Sequence, residues 1–390
     1  MNSATTKYLV LISLVLIFAQ GALGAEVESG YFKADATGTQ PENLGFEPDY
    51  IEFYAQQKTQ TLDQEQSSST NNNCPQDVNG WSEGAALFGS GAVQKQFSIA
   101  AARNSDSTND HRIASSTSHI IKMPYAGRNG GKCGELRISV ASVSSDGFSY
   151  DIESRYQFNE IVRYKAYRFP DNMEFDAGMV KIESEGTQDV STGFRPANLH
   201  IRAAQQVTGK NSDTQFEDNN PESDNTLGRS KGYATLDDTG SVVNQQSIGT
   251  ASSSDSTNAH RSIASDDYVL NTAYVGQDGN LFGRLRAKAS GSDSAGFSVQ
   301  VEDKWSGTDD IFLYRAWGFS FYDFEIGYDV VTQEGQNSYV TGFEPDAIDL
   351  YSEQQIESID QEVVTPNNNG CDNAGGWSYG YYDTNDSKQW

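Results

Sequence analysis

LGFEPDYIEFY at residues 44–54 returns as TGFRPANLHIR at 192–202 and as TGFEPDAIDLY at 341–351. The shared glycines, Gly45, Gly193 and Gly342, are separated by 148 (193 − 45) and 149 (342 − 193) residues. A repeat of that length is domain-sized and far longer than the repeats that build solenoids. The sequence therefore predicts a tandem array of similar domains.

Each copy of this segment combines a turn with an alternating strand. Apolar residues occupy one phase of the alternation: Ile51 and Phe53, Leu199 and Ile201, and Ile348 and Leu350. Glu52, His200 and Asp349 occupy the other phase. Because successive side chains of a strand point to opposite faces, we expect the apolar set to face a core and the polar set to face water.

The first two copies of the repeat match in detail beyond this segment. YAGRNGGKCGELRISVA (125–141) matches YVGQDGNLFGRLRAKA (274–289), DGFSYDIESRY (146–156) matches AGFSVQVEDKW (295–305), and YKAYRF (164–169) matches YRAWGF (314–319). These are short alternating runs between clusters of Gly, Asn, Asp and Ser, with no long run of helical period. We predict an all-β fold of tandem antiparallel β-sandwich domains, two complete and a third incomplete.

The repeat divides the chain into four parts. We expect a signal peptide at 1–24, a first repeat at 26–172, a second at 173–322 and the N-terminal half of a third at 323–390. The three repeats are called unit 1, unit 2 and unit 3 below. Apolar residues such as Phe175 in the short connection between units 1 and 2 predict units that pack against each other, because a free linker would be polar. The expected shape is a semi-rigid rod.

Unit 3 aligns with unit 1 only as far as Trp390, which matches Val93. Two explanations are open: the sequence is a truncated fragment, or a half-sandwich is completed by another chain. In the second case Ile348 and Leu350 would be exposed beside an open strand edge, which predicts self-association.

The first residues have the three parts of a secretory signal peptide. MNSATTK is followed by the apolar run YLVLISLVLIFAQ and by GALG, in which Ala22 and Gly24 fit a small-x-small cleavage site. A membrane anchor is the alternative, but the apolar run is short for a span. We expect a secreted protein, extracellular or at the cell surface, with no membrane span after signal cleavage.

The chain is strongly acidic. It has 54 Asp and Glu residues against 27 Lys and Arg residues, a formal charge of −27. Nucleic-acid partners are not expected, since they require clustered basic residues, and an anionic membrane surface is equally disfavoured. Such a surface suits either a high-salt habitat or the binding of cations, and composition does not choose between them.

The repeats serve as controls for one another in assigning the three cysteines. Cys74 of unit 1 matches Cys371 of unit 3, whereas Cys133 matches Phe282 of unit 2. Unit 2 has a counterpart of neither Cys74 nor Cys133, as expected if the two are bonded to each other, so we predict a disulfide between them in a secreted chain. Two free thiols are the alternative, and metal binding by two cysteines without nearby histidines is weaker.

The motif SDSTN-x-HR occurs at 105–112 and again at 254–261. Its polar side chains could bind sugar hydroxyls, and the candidate ligand-binding residues are Asp106, Asn109, His111, Arg112, Asp255, Asn258, His260 and Arg261. The structural alternative is that Asp and Asn form Asx-turns while each Arg pairs with an acid nearby. Both interpretations remain open at this stage.

No arrangement of residues indicates catalysis. A triad needs a nucleophile, a base and an orienting group from separate strands, and the remaining histidines are only His119 and His200. Acidic pairs such as Asp237 and Asp238 lack the spacing of a calcium loop. We therefore expect a protein that is not an enzyme, with no cofactor and no metal site.

Three motifs resemble those of the H-type lectin domain family. They are the opening GFEPDYIEF and GFRPANLHI, the central GFSYDIESRY and GFSVQVEDKW, and the closing YKAYRF and YRAWGF. Each unit is longer than a compact H-type lectin domain, and Arg168 replaces the closing glycine in unit 1. The resemblance implies an antiparallel β-sandwich, often assembled as trimers, that binds carbohydrate.

Two function classes follow. The first is a secreted, acidic, non-catalytic carbohydrate-binding or cell-adhesion protein whose partners are glycans or cell-surface glycoconjugates. The alternative is a structural subunit of a cell-surface layer or extracellular appendage that self-associates through unit 3.

Overall fold

The computed structural model describes residues 8–14, 26–61, 78–104, 111–127, 131–207, 209–216, 226–253, 260–275, 280–305, 309–318, 325–331, 347–354, 360, 362–365, 377–383 and 388–389. Every regular element in these ranges is a β-strand. All strand pairings among them are antiparallel. The predicted all-β, antiparallel fold is confirmed.

Strand β1 (Tyr8–Leu14) precedes ten strands in unit 1. These are β2 (Glu26–Lys33), β3 (Gly38–Asn43), β4 (Tyr50–Gln56), β5 (Val78–Gly89), β6 (Ala92–Asn104), β7 (His111–Ser116), β8 (Ile121–Ala126), β9 (Lys132–Ser144), β10 (Gly147–Ser154) and β11 (Ile161–Arg168). A large sheet has the order β7-β6-β5-β4-β11-β2, and a small sheet has the order β3-β10-β9-β8.

Unit 2 repeats this arrangement. Its strands are β12 (Phe175–Ile182), β13 (Gly186–Ser191), β14 (Pro196–Ala204), β15 (Asp213–Phe216), β16 (Thr226–Leu236), β17 (Val242–Ser253), β18 (His260–Ser265), β19 (Leu270–Val275), β20 (Leu281–Asp293), β21 (Gly296–Lys304) and β22 (Asp310–Gly318). The large sheet has the order β12-β22-β14-β16-β17-β18, and the small sheet has the order β13-β21-β20-β19.

Unit 3 contributes β23 (Glu325–Val331), β24 (Ala347–Gln354), β25 (Glu362–Thr365), β26 (Trp377–Asp383) and β27 (Lys388–Gln389). Four of these strands join β1 in a sheet of order β23-β1-β24-β26-β27. Residues 8–14 of the N-terminal apolar run therefore lie in the sheet of the last unit.

The core of unit 1 lies between its large and small sheets. Ile51 and Phe53 of β4 and Tyr164 of β11 are buried in one cluster with Ile138 and Phe148 of the small sheet. A matching cluster fills unit 2. Burial of each large apolar side chain stabilises the fold by roughly 1.5–3 kcal/mol. The apolar phase of the repeated strand faces a core, as predicted.

The turn before each repeated strand depends on its glycine. Gly45 and Gly193 have φ angles of 77° and 82°, in the left-handed region that residues with a Cβ avoid. The Asn43 side chain accepts a hydrogen bond from the Gly45 N–H at 3.0 Å. The predicted turn is thus present in both units.

The outer faces of the two large sheets pack against each other. Tyr50 and Phe97 of unit 1 share an apolar cluster with Met179 and Leu313 of unit 2, and Phe175 of the connection packs against it. The prediction that units 1 and 2 contact each other is confirmed.

Each of the first two units also receives a strand from the next one. Strand β15 of unit 2 pairs with β7 at the edge of the unit 1 sheet, and β25 of unit 3 pairs with β18 at the edge of the unit 2 sheet. Unit 3 contacts unit 1 as well, since Asp349 lies 3.4 Å from Lys165. The predicted rod is therefore wrong, because in a rod unit 3 would contact unit 2 alone.

Candidate functional site

Glu52, His200 and Asp349 occupy equivalent positions of the repeated strand, and all three are buried where the units meet. Their predicted exposure to water is wrong. The alternation itself was predicted correctly, but the second face of each strand contacts another unit instead of solvent. The three residues form the centre of a polar cluster, which we call the central ion cluster.

Ion pairs across unit boundaries hold the central ion cluster together. The Glu52 carboxylate lies 2.7 Å from Arg202 and 2.8 Å from Arg315. The Glu83 carboxylate lies 2.8 Å from Lys231 and 3.2 Å from Arg202. The Asp349 carboxylate lies 3.4 Å from Lys165 and 3.8 Å from Arg315. Each acid faces a cation of a different unit. Because a buried charge without a partner is costly, this pattern selects one arrangement of the three units.

Burial and neighbouring charges decide the protonation of the cluster. Burial raises the pKa of Glu83, but Lys231, Arg202 and Arg229 outweigh it and hold that pKa well below its usual range. Burial together with the surrounding cations keeps the pKa of His200 well below its usual range. His200 is therefore neutral.

Aromatic rings line the same region. The His200 ring stacks on Tyr233 with centroids 4.2 Å apart, and the Lys231 ammonium lies 4.4 Å from the centre of the Tyr351 ring. A small pocket beside them, between units 1 and 2, is lined by Glu52, His200 and Arg315 among others. These side chains bond mainly to each other, so the chemistry of the cluster is that of an interface.

The duplicated motif lies at the unit boundaries. Asp106, Asn109, Asp255 and Asn258 are outside the described residues. His111 and Arg112 begin β7, while His260 and Arg261 begin β18, and all four are largely buried.

The described part of the motif contacts the next unit in both copies. Arg112 pairs with Asp213 at 2.8 Å, and Arg261 pairs with Glu362. His111 Nε2 lies 3.3 Å from Gln206 Oε1. Burial lowers the pKa of His111 to about 4, so its ring is neutral at pH 7. These contacts favour the structural interpretation of the His-Arg pair, with the modification that the acid comes from the following unit.

A backbone contact repeats beside each of these pairs. The Thr117 N–H donates to Asn211 Oδ1 at 2.7 Å in the first boundary, and the Asp266 N–H donates to Asp360 Oδ1 at 3.1 Å in the second. Both donors and both acceptors are separated by 149 residues (266 − 117 and 360 − 211). Asp213 and Glu362, the acids that pair with the two motif arginines, are also separated by 149 residues. The sequence alone did not lead us to these two acids, although the 149-residue offset was a signal that could have identified them.

One group of acids in the described part of the chain could hold a metal ion. Asp266, Asp267 and Asp360 have carboxylate oxygens within 4.8 Å of one another, and all three are exposed. In the first boundary the equivalent residues are Thr117, Ser118 and Asn211, which carry no charge. Exposed acids alone do not define a metal site.

His119 contacts a hydroxyl and a carboxylate on the outer surface of unit 1. Its Nδ1 lies 3.0 Å from Ser118 Oγ, and its Nε2 lies 3.0 Å from Glu153 Oε2. In unit 2 the Tyr268 hydroxyl donates to Glu302 at 3.2 Å in the equivalent place. A tyrosine makes the same link without a histidine, which favours a structural role for both rings.

The predicted disulfide falls partly on residues that cannot be described. Cys133 of β9 packs against the core of unit 1, whereas Cys74 lies outside the described residues. Its pairing with Cys133 stays a prediction.

No protein-family model matches the chain, and no curated protein matches it. Within the described ranges, no helix is long and apolar enough to cross a bilayer.

Proposed function

We propose that the protein is a secreted, non-catalytic adhesion protein that binds carbohydrate on glycans or cell-surface glycoconjugates. The observation that carries this proposal is the convergence of β4, β14 and β24 on the central ion cluster. One chain thereby has the organisation of three similar domains around a common centre. Similar domains held in one body can bind several sugar groups at once, which raises avidity without new contacts.

The resemblance to the H-type lectin domain supports this function, since it implies both carbohydrate binding and assembly in threes. The His and Arg of the duplicated motif already contact the neighbouring unit. We therefore assign the sugar contacts to the short polar residues before them, Asp106 and Asn109 in unit 1 and Asp255 and Asn258 in unit 2. Carboxylates and amides of this kind hydrogen-bond readily to hydroxyl groups.

A glycan-array screen tests the proposal directly. The wild-type chain should retain a defined set of glycans, and alanine at Asp106, Asn109, Asp255 and Asn258 together should abolish retention without changing the melting temperature. The matched control is Asp213→Asn, which removes the carboxylate partner of Arg112 but leaves the four candidate sugar-binding residues unchanged. It should lower stability and retain the glycans. Unchanged glycan retention by the fourfold alanine variant would reject the assignment of these residues.

A structural subunit of a cell-surface layer or appendage is the second candidate. It is favoured by the strands that units 2 and 3 add to the preceding sheets, because such pairing joins domains rigidly. Electron microscopy of the purified protein should then show ordered assemblies, while the glycan array shows no retention. Dispersed particles with glycan binding would support the first function.

A further inference from the structure

Lys165 of unit 1 and Asp349 of unit 3 meet inside the central ion cluster. The Lys165 Nζ lies 3.4 Å from the Asp349 Oδ1, and the two side chains are 6% and 0% exposed. The two residues are separated by 184 positions of the chain. A primary amine and a carboxyl group held in contact away from water are the two reactants of an amide bond, and holding reactants in contact removes much of the entropic barrier to their reaction.

Burial favours the reactive form of the amine. It lowers the pKa of the Lys165 ammonium, and the nearby carboxylates of Asp349 and Glu52 oppose this shift only in part. Because buried charges are costly, transfer of a proton from Lys165 to Asp349 is favoured by the surroundings and leaves a neutral amine beside a neutral carboxylic acid. A lysine that has lost its proton in this way is a nucleophile.

Two further charged groups face the pair. Glu52 is paired with Lys165 in the ladder between β4 and β11, which places both side chains on the same face of the sheet. The Arg315 guanidinium lies 3.8 Å from the Asp349 Oδ2 and 2.8 Å from the Glu52 Oε2. A carboxylate beside an amine can carry its proton, and a guanidinium beside a carboxyl group stabilises negative charge that develops on oxygen.

We propose that Lys165 and Asp349 condense to an internal amide, an isopeptide bond that joins unit 1 covalently to unit 3. The Lys165 Nζ attacks the Asp349 Cγ and forms the C–N bond. Glu52 accepts a proton from the nitrogen and passes it to the departing hydroxyl group, the C–O bond breaks, and one water molecule leaves. Nothing is oxidised or reduced, and no further reactant is needed. The inference does not depend on carbohydrate binding.

The equivalent pair of unit 2 lacks the nucleophile. Arg315 occupies in β22 the place that Lys165 occupies in β11, and it contacts Glu52 of unit 1 at 2.8 Å. A guanidinium stays protonated and does not attack a carboxyl group. Lys165→Arg is therefore a matched control, because it keeps the positive charge that this position carries in unit 2 but cannot form the amide.

Another buried lysine of the cluster provides an internal comparison. The Lys231 Nζ lies 2.8 Å from the Glu83 Oε1. Lys231, Arg202 and Arg229 together lower the pKa of Glu83 to about 2, so its carboxylate stays ionised. An ionised carboxylate resists attack by an amine, and we expect Lys231 to remain unmodified.

Mass spectrometry of the unmodified full chain tests the proposal without requiring any variant to fold. The reduced and alkylated protein is digested with trypsin, which does not cleave after an acylated lysine. The digest should contain residues 164–168 joined to residues 316–388, lighter by one water molecule than the two separate peptides. Fragmentation should locate the bond at Asp349, and trypsin should cleave after Lys231. Release of residues 164–165 and 166–168 as free peptides from all of the protein, or attachment of Lys165 to another acid, would overturn the proposal.

Variants separate the covalent bond from the ion pair. Lys165→Arg should yield the peptide of residues 316–388 without a partner. In denaturing electrophoresis after boiling and reduction, the wild-type chain should migrate faster than this variant, because an internal amide closes part of the unfolded chain into a loop. Glu52→Gln should lower the linked fraction, and an unchanged fraction would refute the proton transfer through Glu52. Equal migration of wild type and Lys165→Arg would refute the bond itself.

Discussion

Glu160→Gln should stabilise the protein at neutral and alkaline pH, with much less effect near pH 5. Glu160 directly precedes β11 and is fully buried. Burial raises the pKa of its carboxyl to about 8, opposed only in part by the backbone N–H groups of Glu160 and Lys58. In the unfolded chain the same carboxyl has its ordinary pKa of 4.5.

The sign and size follow from these two pKa values. Between pH 4.5 and about 8 the folded state keeps a proton that the unfolded state has released. The stability associated with this group is therefore complete below pH 4.5 and is lost as pH rises toward 8. The free energy of unfolding should fall by about 1.4 kcal/mol per pH unit, or about 3 kcal/mol from pH 5 to pH 7. Glutamine does not titrate, so the variant should lack this fall.

The assay is urea unfolding of wild type and variant at pH 5, 6, 7 and 8, with hydrogen exchange used to follow unit 1 separately. Comparing slopes against pH cancels any constant effect of packing the amide. Glu47→Gln, at an exposed position of the same unit, is the control and should leave the slope unchanged. If the curves of wild type and Glu160→Gln run parallel within about 0.5 kcal/mol, the reasoning is refuted.

Unit 2 supplies an independent comparison. Asp310 stands at the equivalent position and is also fully buried. Burial raises the pKa of its carboxyl to about 6, while Tyr274 and the Gln206 backbone N–H oppose the rise. Asp310→Asn should therefore remove a pH dependence that ends near pH 6, two units below the end of the Glu160 effect. Identical pH ranges for the two variants would contradict the assignment.

Three further changes test the packing. Arg315→Met breaks the central ion cluster and should cost about 3–5 kcal/mol in urea unfolding, because it takes one of two cations from each of the buried acids Glu52 and Asp349; a loss below about 1 kcal/mol would contradict this. Gly84→Ala and Gly232→Ala place a methyl group 2.0 Å and 2.1 Å from a backbone oxygen of the facing sheet, and each should cost about 1–3 kcal/mol. An unchanged melting temperature would show that the sheets separate easily. Reduction of the predicted Cys74–Cys133 disulfide, which closes a loop of 59 residues (133 − 74), should destabilise unit 1 by about 4 kcal/mol and leave hydrogen exchange in unit 2 unchanged.

The strands and their inward faces were predictable because they depend on local properties of the chain. Alternation of Ile51 and Phe53 with polar residues requires only the two-residue period of an extended backbone. The turn at Gly45 requires only a residue without a Cβ. The 148- and 149-residue spacing indicated which strands are equivalent. None of these inferences needs a contact between distant parts of the chain.

The outer face of each strand was decided by the tertiary structure alone. Alternation separates the two faces of a strand but does not state what covers the second face. The side chains of Glu52, His200 and Asp349 were predicted to face water. Instead, cations of neighbouring units cover the two acids, and Arg202 and Arg315 surround the neutral His200.

The same limit applies to the partners of the duplicated motif and to the location of β1. Arg112 meets Asp213 across 101 residues of chain (213 − 112), and Ile12 meets Leu350 across 338 (350 − 12). The sequence by itself determined which residues can form strands and which face of each strand is apolar, since both follow from backbone geometry. Only the tertiary structure decided which surfaces meet, because that choice depends on the combined shape and charge of whole units.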